Sequence, residues 1–173
     1  MEEMTTYVAL LRAVNVGGTG KMPMPTLVKM CEAAGFDAVR TYIASGNVMF
    51  NSRLKERRIK GLLEERLASY AGKSVSVLVR SADEMRTVLA ANPFQAEPGN
   101  RTVAIFLDTA PPAHALEEVR GKRSERLALG TREIYVAYPD GMAGSKLVIP
   151  AAKTGTARNM NTIAKLAAMT SES

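Results

Sequence analysis

The chain has 173 residues, of which 46% are hydrophobic and 23% are charged. This composition is close to the average of globular proteins, so it excludes a disordered chain and an extended coiled coil. A chain of this length buries roughly 70% of its unfolded surface, which is enough for one large core or two small ones. Its longest apolar runs are about half as long as a membrane-spanning helix requires.

The net charge is +6, and the whole surplus lies between Arg12 and Lys60, where there are nine basic and three acidic residues. An anionic partner and a purely solubilising role explain such a surplus equally well. Two glutamates follow Met1 where a signal peptide carries basic residues, so we expect a cytoplasmic protein. Cys31 and His114 are the single residues of their types. Disulfides, CxxC metal sites and a histidine-rich zinc site are therefore excluded, and we expect no metal and no cofactor.

The first half of the chain alternates short apolar runs with amphipathic stretches. Strands are predicted from apolar runs that end at Gly, Asn or Ser, and helices from a 3.6-residue apolar period. In chain order we predict a strand at 7–14, a helix from Pro25 to Gly35, a hairpin at 38–52, a helix ending at Gly72 and a strand at 74–81. This βαββαβ order is that of a ferredoxin-like subdomain, which we assign to residues 1–80.

The second half contains the same kinds of element in a permuted order. Ser81 and Glu84 have the spacing of a capping box, which predicts a helix at 82–91. After it we predict a strand in "RTVAIFLD", a short helix in "PAHALEEVR", a hairpin turning near Gly130 and a last helix at about 157–169. The expected fold is therefore α+β, with the ferredoxin-like half packed against a second subdomain of αβαββα order at residues 81–173.

The loop "NVGGTGK" leads from the first strand towards the first helix. A P-loop needs glycine five residues before its Gly-Lys pair and a hydroxyl after it, but those positions hold Asn15 and Met22. A dinucleotide fingerprint fails because Pro23 occupies the place of its last glycine. The loop is then either an anion-binding turn, with backbone N–H groups between Arg12 and Lys21, or a connector that needs glycine for its conformation.

Three further segments are polar and each has two interpretations. Ser45-Gly46-Asn47 is typical of a tight turn, and binding of a ligand is its second interpretation. Lys146 follows Ser145 in a Gly-rich segment, where it can contact an anion or stay solvated. A helical wheel of the last helix gathers polar groups on one side, as either an anion-binding face or an ordinary solvated face. These groups are Arg158, Asn161, Thr162 and Lys165.

"YVALLRAVNVGG", "TYIASGNVMF", "DGMAGSKL" and "TARNMNTIAKL", in this order, resemble the bacterial family called domain of unknown function 1697. The resemblance implies an α+β fold with a ferredoxin-like portion, a cytoplasmic protein and no established activity. The family's motif residues correspond to Arg12, Asn15, Val16, Gly17, Gly18, Ser45, Gly46, Asn47, Ser145, Lys146, Arg158, Asn159, Asn161 and Thr162. The chain departs from the family pattern at Ala44, Gly144 and Met160, where the family has a polar, a basic and an aromatic residue.

Together these segments suggest one basic cleft that binds a phosphorylated or carboxylated small molecule. Positive charge is expected from Arg12, Lys21, Lys146 and Arg158, and ligand contacts from Asn15, Gly17, Gly18, Ser45, Gly46, Asn47, Ser145, Asn159 and Asn161. Whether the protein is an enzyme stays open, and Lys146 is the candidate for proton transfer.

Two other classes of function compete with anion binding. A nucleic-acid-binding module is permitted by the basic surplus, although Tyr7 and Phe50 are the only aromatic residues on the strands that stack bases in RNA-recognition domains. A purely structural or self-associating protein is the other alternative. The sequence predicts no particular oligomeric state.

Overall fold

A computed structural model describes residues 3–12, 22–42 and 46–171 of the chain. The chain divides into two compact units, one formed by Met1–Met85 with Ala168–Ser173 and the other by Arg86–Ala167. No helix within the described residues is both long and apolar enough to cross a membrane.

Up to Ser81, the described residues of the first unit form one antiparallel sheet and two helices in the order βαββαβ. Its elements are β1 (Thr5–Leu11), α1 (Met24–Ala33), β2 (Asp37–Thr41), β3 (Asn47–Ser52), α2 (Glu56–Ala71) and β4 (Val77–Ser81). The strand order across the sheet is β2-β3-β1-β4, and each neighbouring pair is antiparallel. The predicted elements of this half are confirmed where the structure describes them, whereas residues 13–14 of the predicted first strand and 43–45 of the predicted hairpin lie outside the described part. Both helices are followed by a glycine with positive φ, Gly35 and Gly72.

Both faces of this first sheet are buried. Alternate residues of the strands, such as Ala9 and Val79, pack in one cluster with Leu27 of α1 and Leu63 of α2. The residues between them point to the opposite face, and they are also buried. These include Val8, Leu10, Met49, Leu78 and Arg80. The sheet therefore offers neither face to solvent at its centre.

The second unit contains the other antiparallel sheet. After α3 (Ala82–Ala90) come β5 (Thr102–Phe106), β6 (Arg126–Leu129), β7 (Glu133–Ala137), β8 (Thr156–Asn159) and α4 (Met160–Thr170). The strand order is β6-β7-β5-β8, and all pairs are antiparallel. Val103, Ile105, Ile134 and Val136 form its core, against which Leu147 and Ile149 pack from the segment after β7.

The capping box is confirmed at the start of α3. Glu84 Oε1 accepts a hydrogen bond of 2.9 Å from the Ser81 N–H, and Ser81 Oγ accepts one of 3.1 Å from the Glu84 N–H. Two backbone donors that the helix leaves unpaired are satisfied by this exchange.

The predicted αβαββα order of the second half needs two corrections. The helix predicted in "PAHALEEVR" is only a 3₁₀ segment at Ala115–Glu118. The residues at the predicted start of the last helix, Thr156–Asn159, instead form β8, and α4 begins at Met160. β8 extends β5 at the edge of the sheet, so pairing with a distant strand decides its conformation. Over the residues that the structure describes, the fold is α+β with two four-stranded antiparallel sheets and four helices.

Candidate functional site

Two segments of the second unit lie side by side at one end of its sheet. Residues 120–125 precede β6 and residues 145–148 follow β7; because β6 and β7 form a hairpin, both segments leave it at the same end. They are joined by two backbone hydrogen bonds between Arg120 and Val148, of 2.9 and 2.8 Å. We call residues 120–125 and 145–148 the basic loop pair.

A glycine allows the two backbones of the basic loop pair to approach closely. Gly121 has a φ of +72°, and a Cβ atom at this position would lie 2.1 Å from the carbonyl oxygen of Lys146. This distance is much shorter than a van der Waals contact, so any residue other than glycine at position 121 would push the backbone of Lys146 away. The contact fixes the segment carrying Lys122 beside the segment carrying Lys146.

A buried carboxylate holds the same segments together from the inner side. Glu125 is only 6% exposed. Its Oε2 accepts a hydrogen bond of 2.5 Å from Ser145 Oγ, and its Oε1 accepts one of 2.6 Å from the Arg123 N–H. Ser145 Oγ in turn accepts a hydrogen bond of 3.2 Å from the Leu147 N–H. Glu125 and Ser145 therefore link the two segments through side-chain atoms.

The environment of Glu125 favours its ionised form. The hydrogen bond from Ser145, followed by the one from the Arg123 backbone and by the nearby charge of Lys122, lowers the pKa of Glu125 below its ordinary value. Burial, and secondly the negative charge of Glu125, raise the pKa of Tyr138. The carboxylate is thus already engaged in holding the loops.

The outer side of the basic loop pair carries positive charge. Exposure alternates along residues 145–149, so that Lys146 and Val148 are exposed while Ser145, Leu147 and Ile149 are partly buried. Arg120, Lys122 and Arg123 of the neighbouring segment are exposed as well. Four basic side chains therefore project from two segments whose backbones are fixed to each other.

The predicted Arg158-Asn159-x-Asn161 motif lies at the other edge of the same sheet. Asn159 Oδ1 accepts a hydrogen bond of 2.9 Å from the Thr162 N–H and so caps α4. Arg158 belongs to β8, which corrects its assignment to the polar face of a helix, and it donates to Thr156 Oγ1 and to the Ala157 carbonyl, both at 2.9 Å. Burial lowers the pKa of Arg158 to about 10, so its guanidinium still carries its charge at pH 7.

Asn161, the last predicted residue of this motif, is exposed. Its amide lies against Gly99, where a Cβ atom would be 2.2 Å from Asn161 Oδ1. This contact joins the start of α4 to the 3₁₀ segment at Gly99–Arg101, which precedes β5.

The two groups of predicted residues in the second unit are separated by the width of the sheet. Glu125 precedes β6 at one edge, and Asn159 ends β8 at the other. Three strand spacings separate their backbones, or roughly 14 Å at about 4.8 Å per spacing. A phosphate that contacts both Lys146 and the start of α4 would therefore have to be reached by extended side chains from both edges of the sheet.

The predicted site residues described in the first unit serve mainly its backbone. Asn47 is buried, and its Nδ2 donates a hydrogen bond of 2.9 Å to the Tyr42 carbonyl, which closes the β2–β3 hairpin. The Gly46 carbonyl accepts a hydrogen bond of 2.9 Å from the Leu11 N–H. Arg12 is exposed. The predicted residues outside the described part of the chain are Asn15, Gly17, Gly18, Lys21 and Ser45.

The single cysteine and the single histidine are not catalytic candidates. Cys31 is buried in the first core, and burial, with a smaller contribution from Glu32, raises its pKa to about 12. The side chain of His114 is 62% exposed and lies 3.1 Å from Glu118. Within the described ranges, no cluster of three or more His, Cys, Asp or Glu side chains is placed to hold a metal ion.

Sequence reasoning missed Glu125 and Gly121, which organise the basic loop pair. Glu125 lies 20 residues from Ser145 in the chain, so no local pattern connects them. The only signal was the concentration of basic residues in "VRGKRSER" at 119–126.

These features define an α+β protein with two antiparallel four-stranded sheets and one structured, positively charged loop pair. The family model described as "Protein of unknown function (DUF1697)" matches residues 4–135, so the chain belongs to this family, as its motifs predicted. The matched stretch ends before Ser145, so it does not include Lys146 or Arg158.

The structure of the conserved bacterial protein SP0830 from Streptococcus pneumoniae is similar to this chain. The TM-score is 0.78 at 25% sequence identity, and the similarity covers 97% of this chain and 99% of that chain. This likeness supports the α+β fold over nearly the whole length. None of the curated proteins with which the chain was compared matches it.

Proposed function

We propose that this protein binds an anionic small molecule, phosphorylated or carboxylated, at the basic loop pair. One observation carries the proposal: four exposed basic side chains, Arg120, Lys122, Arg123 and Lys146, project from two segments that are clamped together. The nearest buried carboxylate, Glu125, already accepts hydrogen bonds on both of its oxygens.

Electrostatics gives this arrangement its preference for anions. Like charges on neighbouring segments repel one another, and an anion placed among them relieves that repulsion while gaining attraction from each. Because backbone contacts and the Glu125–Ser145 hydrogen bond already hold the segments, binding requires little ordering of the loops. If the same basic side chains were on mobile loops, ordering these loops around the ligand would cost conformational entropy.

Within this proposal Lys146 supplies charge rather than a proton. Its side chain is exposed, so it lacks the desolvation that a lysine acting in proton transfer requires. Ser145 and Asn159 serve the loop contact and the helix cap. We also predict that the same ligand is contacted by the other residues of a single cleft, namely Arg12, Lys21, Asn15, Ser45 and Arg158. The subdomain boundary at residue 80 and the cytoplasmic location stay predictions as well.

The first unit has features that support the predicted ferredoxin-like assignment. Its strand order, β2-β3-β1-β4, and its antiparallel pairing are those expected for a βαββαβ unit of this kind. The rival function, nucleic-acid binding on such a sheet, is disfavoured because the two aromatic candidates are core residues. Tyr7 is 7% exposed and Phe50 is fully buried, so neither ring is available for base stacking.

The experiment is a thermal-shift screen of the full chain against pyrophosphate, ribose 5-phosphate, citrate and nucleotides. A ligand at 100 times its Kd stabilises the folded protein by about 2.7 kcal/mol, which is readily measured. We expect stabilisation by at least one phosphorylated or carboxylated compound, and its loss in Lys146→Ala. Lys153→Ala, an exposed lysine outside the basic loop pair, serves as the matched control and should keep the effect.

Two results contradict the proposal. One is the absence of stabilisation by any anion, which favours a structural role. The other is tight binding of single-stranded RNA or DNA with a steep dependence on salt, which favours the nucleic-acid alternative.

A further inference from the structure

Two apolar side chains flank Lys146 on the basic loop pair and its approach. Met142 is 43% exposed and Val148 is 46% exposed. They are two of the five large hydrophobic side chains that are exposed in the described part of the chain. Both residues lie within four positions of Lys146 in the chain, so exposed apolar and exposed basic side chains occur in the same loop region.

Backbone geometry sets the positions of both apolar residues relative to Lys146. Val148 follows Lys146 by two residues in an extended segment with alternating exposure, so the two side chains share a face and are separated by roughly 7 Å along the chain. On the other side, the Met142 carbonyl accepts a hydrogen bond of 3.1 Å from the Ser145 N–H. This turn brings Met142 back to the residue that precedes Lys146.

We infer that the ligand of this site is a nucleoside monophosphate, whose phosphate contacts Lys146 and its basic neighbours and whose base lies against Met142 and Val148. The inference rests on the proposed function, because it assigns the anion of that site to a phosphate ester. It adds a requirement for a planar, largely apolar group next to the phosphate, which inorganic phosphate, pyrophosphate and citrate lack.

The chemistry of the two apolar side chains suits such a base. A methionine thioether is polarizable and flexible, and it packs favourably against aromatic rings. Val148 is held by its two backbone hydrogen bonds to Arg120, so it offers a fixed apolar surface on the same segment. Stacking and apolar contact tolerate different bases, so we expect little discrimination between adenine and guanine.

The experiment measures the Kd of the full chain for adenosine monophosphate, ribose 5-phosphate and adenosine by calorimetry at constant salt. We expect adenosine monophosphate to bind about tenfold more tightly than ribose 5-phosphate, because one face of its base becomes buried against two apolar side chains. Lys146→Ala should weaken both phosphates. The double variant Met142→Ser, Val148→Ser should remove the preference for adenosine monophosphate while leaving ribose 5-phosphate binding unchanged. Leu129→Ser changes an exposed apolar residue elsewhere in the same unit and should alter neither.

The outcomes separate this inference from the proposed function. Equal affinity for adenosine monophosphate and ribose 5-phosphate overturns the nucleotide inference and leaves anion binding intact. Binding of neither phosphate, nor of any other anion in the screen, overturns both. A preference for adenosine monophosphate that survives the double variant places the base elsewhere, and it overturns the inference as well. Circular dichroism spectra confirm that each variant is folded before its affinity is compared.

Discussion

The first sheet and the basic loop pair use similar sequence motifs for opposite purposes. Ser-Gly-Asn in the first unit and Gly-Ser-Lys in the second are both short, polar and rich in glycine. Asn47 turns inward and closes a hairpin, whereas Lys146 turns outward next to other cations. A polar motif therefore indicates a binding site only when its polar atoms are not already used by the fold.

The largest expected effect tests whether the first sheet is a closed core. Phe50 is fully buried and its ring stacks on Phe36 with centroids 4.2 Å apart. Phe50→Ala removes this ring from the centre of the core and should lower the free energy of unfolding by about 3–5 kcal/mol. Urea unfolding followed by circular dichroism measures it.

The control for this variant is the aromatic residue Tyr70, which is 41% exposed. Tyr70→Ala should change the unfolding free energy by less than about 0.5 kcal/mol. If Phe50→Ala is equally mild, the first sheet is not a closed core. If it abolishes binding of a nucleic acid while the protein remains stable, the first sheet is a binding surface, and the contrast with the basic loop pair is wrong.

The second effect tests the close backbone approach in the basic loop pair. Gly121 and Gly141 both have positive φ, +72° and +85°, but a Cβ atom at Gly141 meets nothing within 4 Å. Gly141→Ala should therefore cost about 1–2 kcal/mol for its backbone conformation alone. Gly121→Ala should cost roughly 1–3 kcal/mol more, because its Cβ also displaces the Lys146 carbonyl.

The same pair of variants also tests whether the basic loop pair binds the anion. Because Gly121→Ala shifts the segment of Lys146 away from its basic neighbours, it should also weaken anion binding, whereas Gly141→Ala should leave it unchanged. Equal stability of the two variants would mean that the close contact at Gly121 is absent in solution.

Local patterns predicted the first unit well because its elements carry their signals within a few residues. The apolar stripe of α2, with Gly72 just past its end, and the Ser81–Glu84 capping box are examples. In the second unit β8 was missed because four residues, "TARN", have no strand pattern of their own and become extended by pairing with β5. Of the proposed site, Ser145 and Lys146 were named from the sequence, but Glu125 contacts Ser145 only across 20 residues of the chain, so no local pattern predicted it.

The third effect concerns the cap of α4. Asn159→Ala removes the acceptor for the Thr162 N–H and should lower the unfolding free energy by about 1 kcal/mol. Asn159→Asp keeps an acceptor at this position and places a negative charge at the helix N-terminus, so it should retain most of the stability. If Asn159→Ala loses anion binding while its stability is unchanged, Asn159 contacts the ligand. This result would contradict the conclusion that Asn159 lies apart from the anion site at the basic loop pair.

The smallest effect is the contribution of Glu125 to the free energy of unfolding at low pH, because it comes from the titration of one carboxylate. Hydrogen bonds, chiefly from Ser145, hold the pKa of Glu125 in the folded chain below its ordinary value of 4.5. The folded state therefore binds this proton less readily than the unfolded chain, and the carboxylate stabilises the fold above that value. As the pH falls through the folded pKa, this stabilisation is lost.

Glu125→Gln removes the titration, so its Tm should lie below that of the parent protein at pH 7, and the difference should shrink as the pH falls below 4.5 and through the lowered pKa of Glu125. Ser145→Ala should move the parent's loss of stability to higher pH, because it removes the largest cause of the lowered pKa. Glu117→Gln, at an exposed position, should leave the pH profile unchanged. A constant difference between Glu125→Gln and the parent across this range would show that the carboxylate does not hold the two segments together, which would take away the rigidity on which the proposed anion site depends.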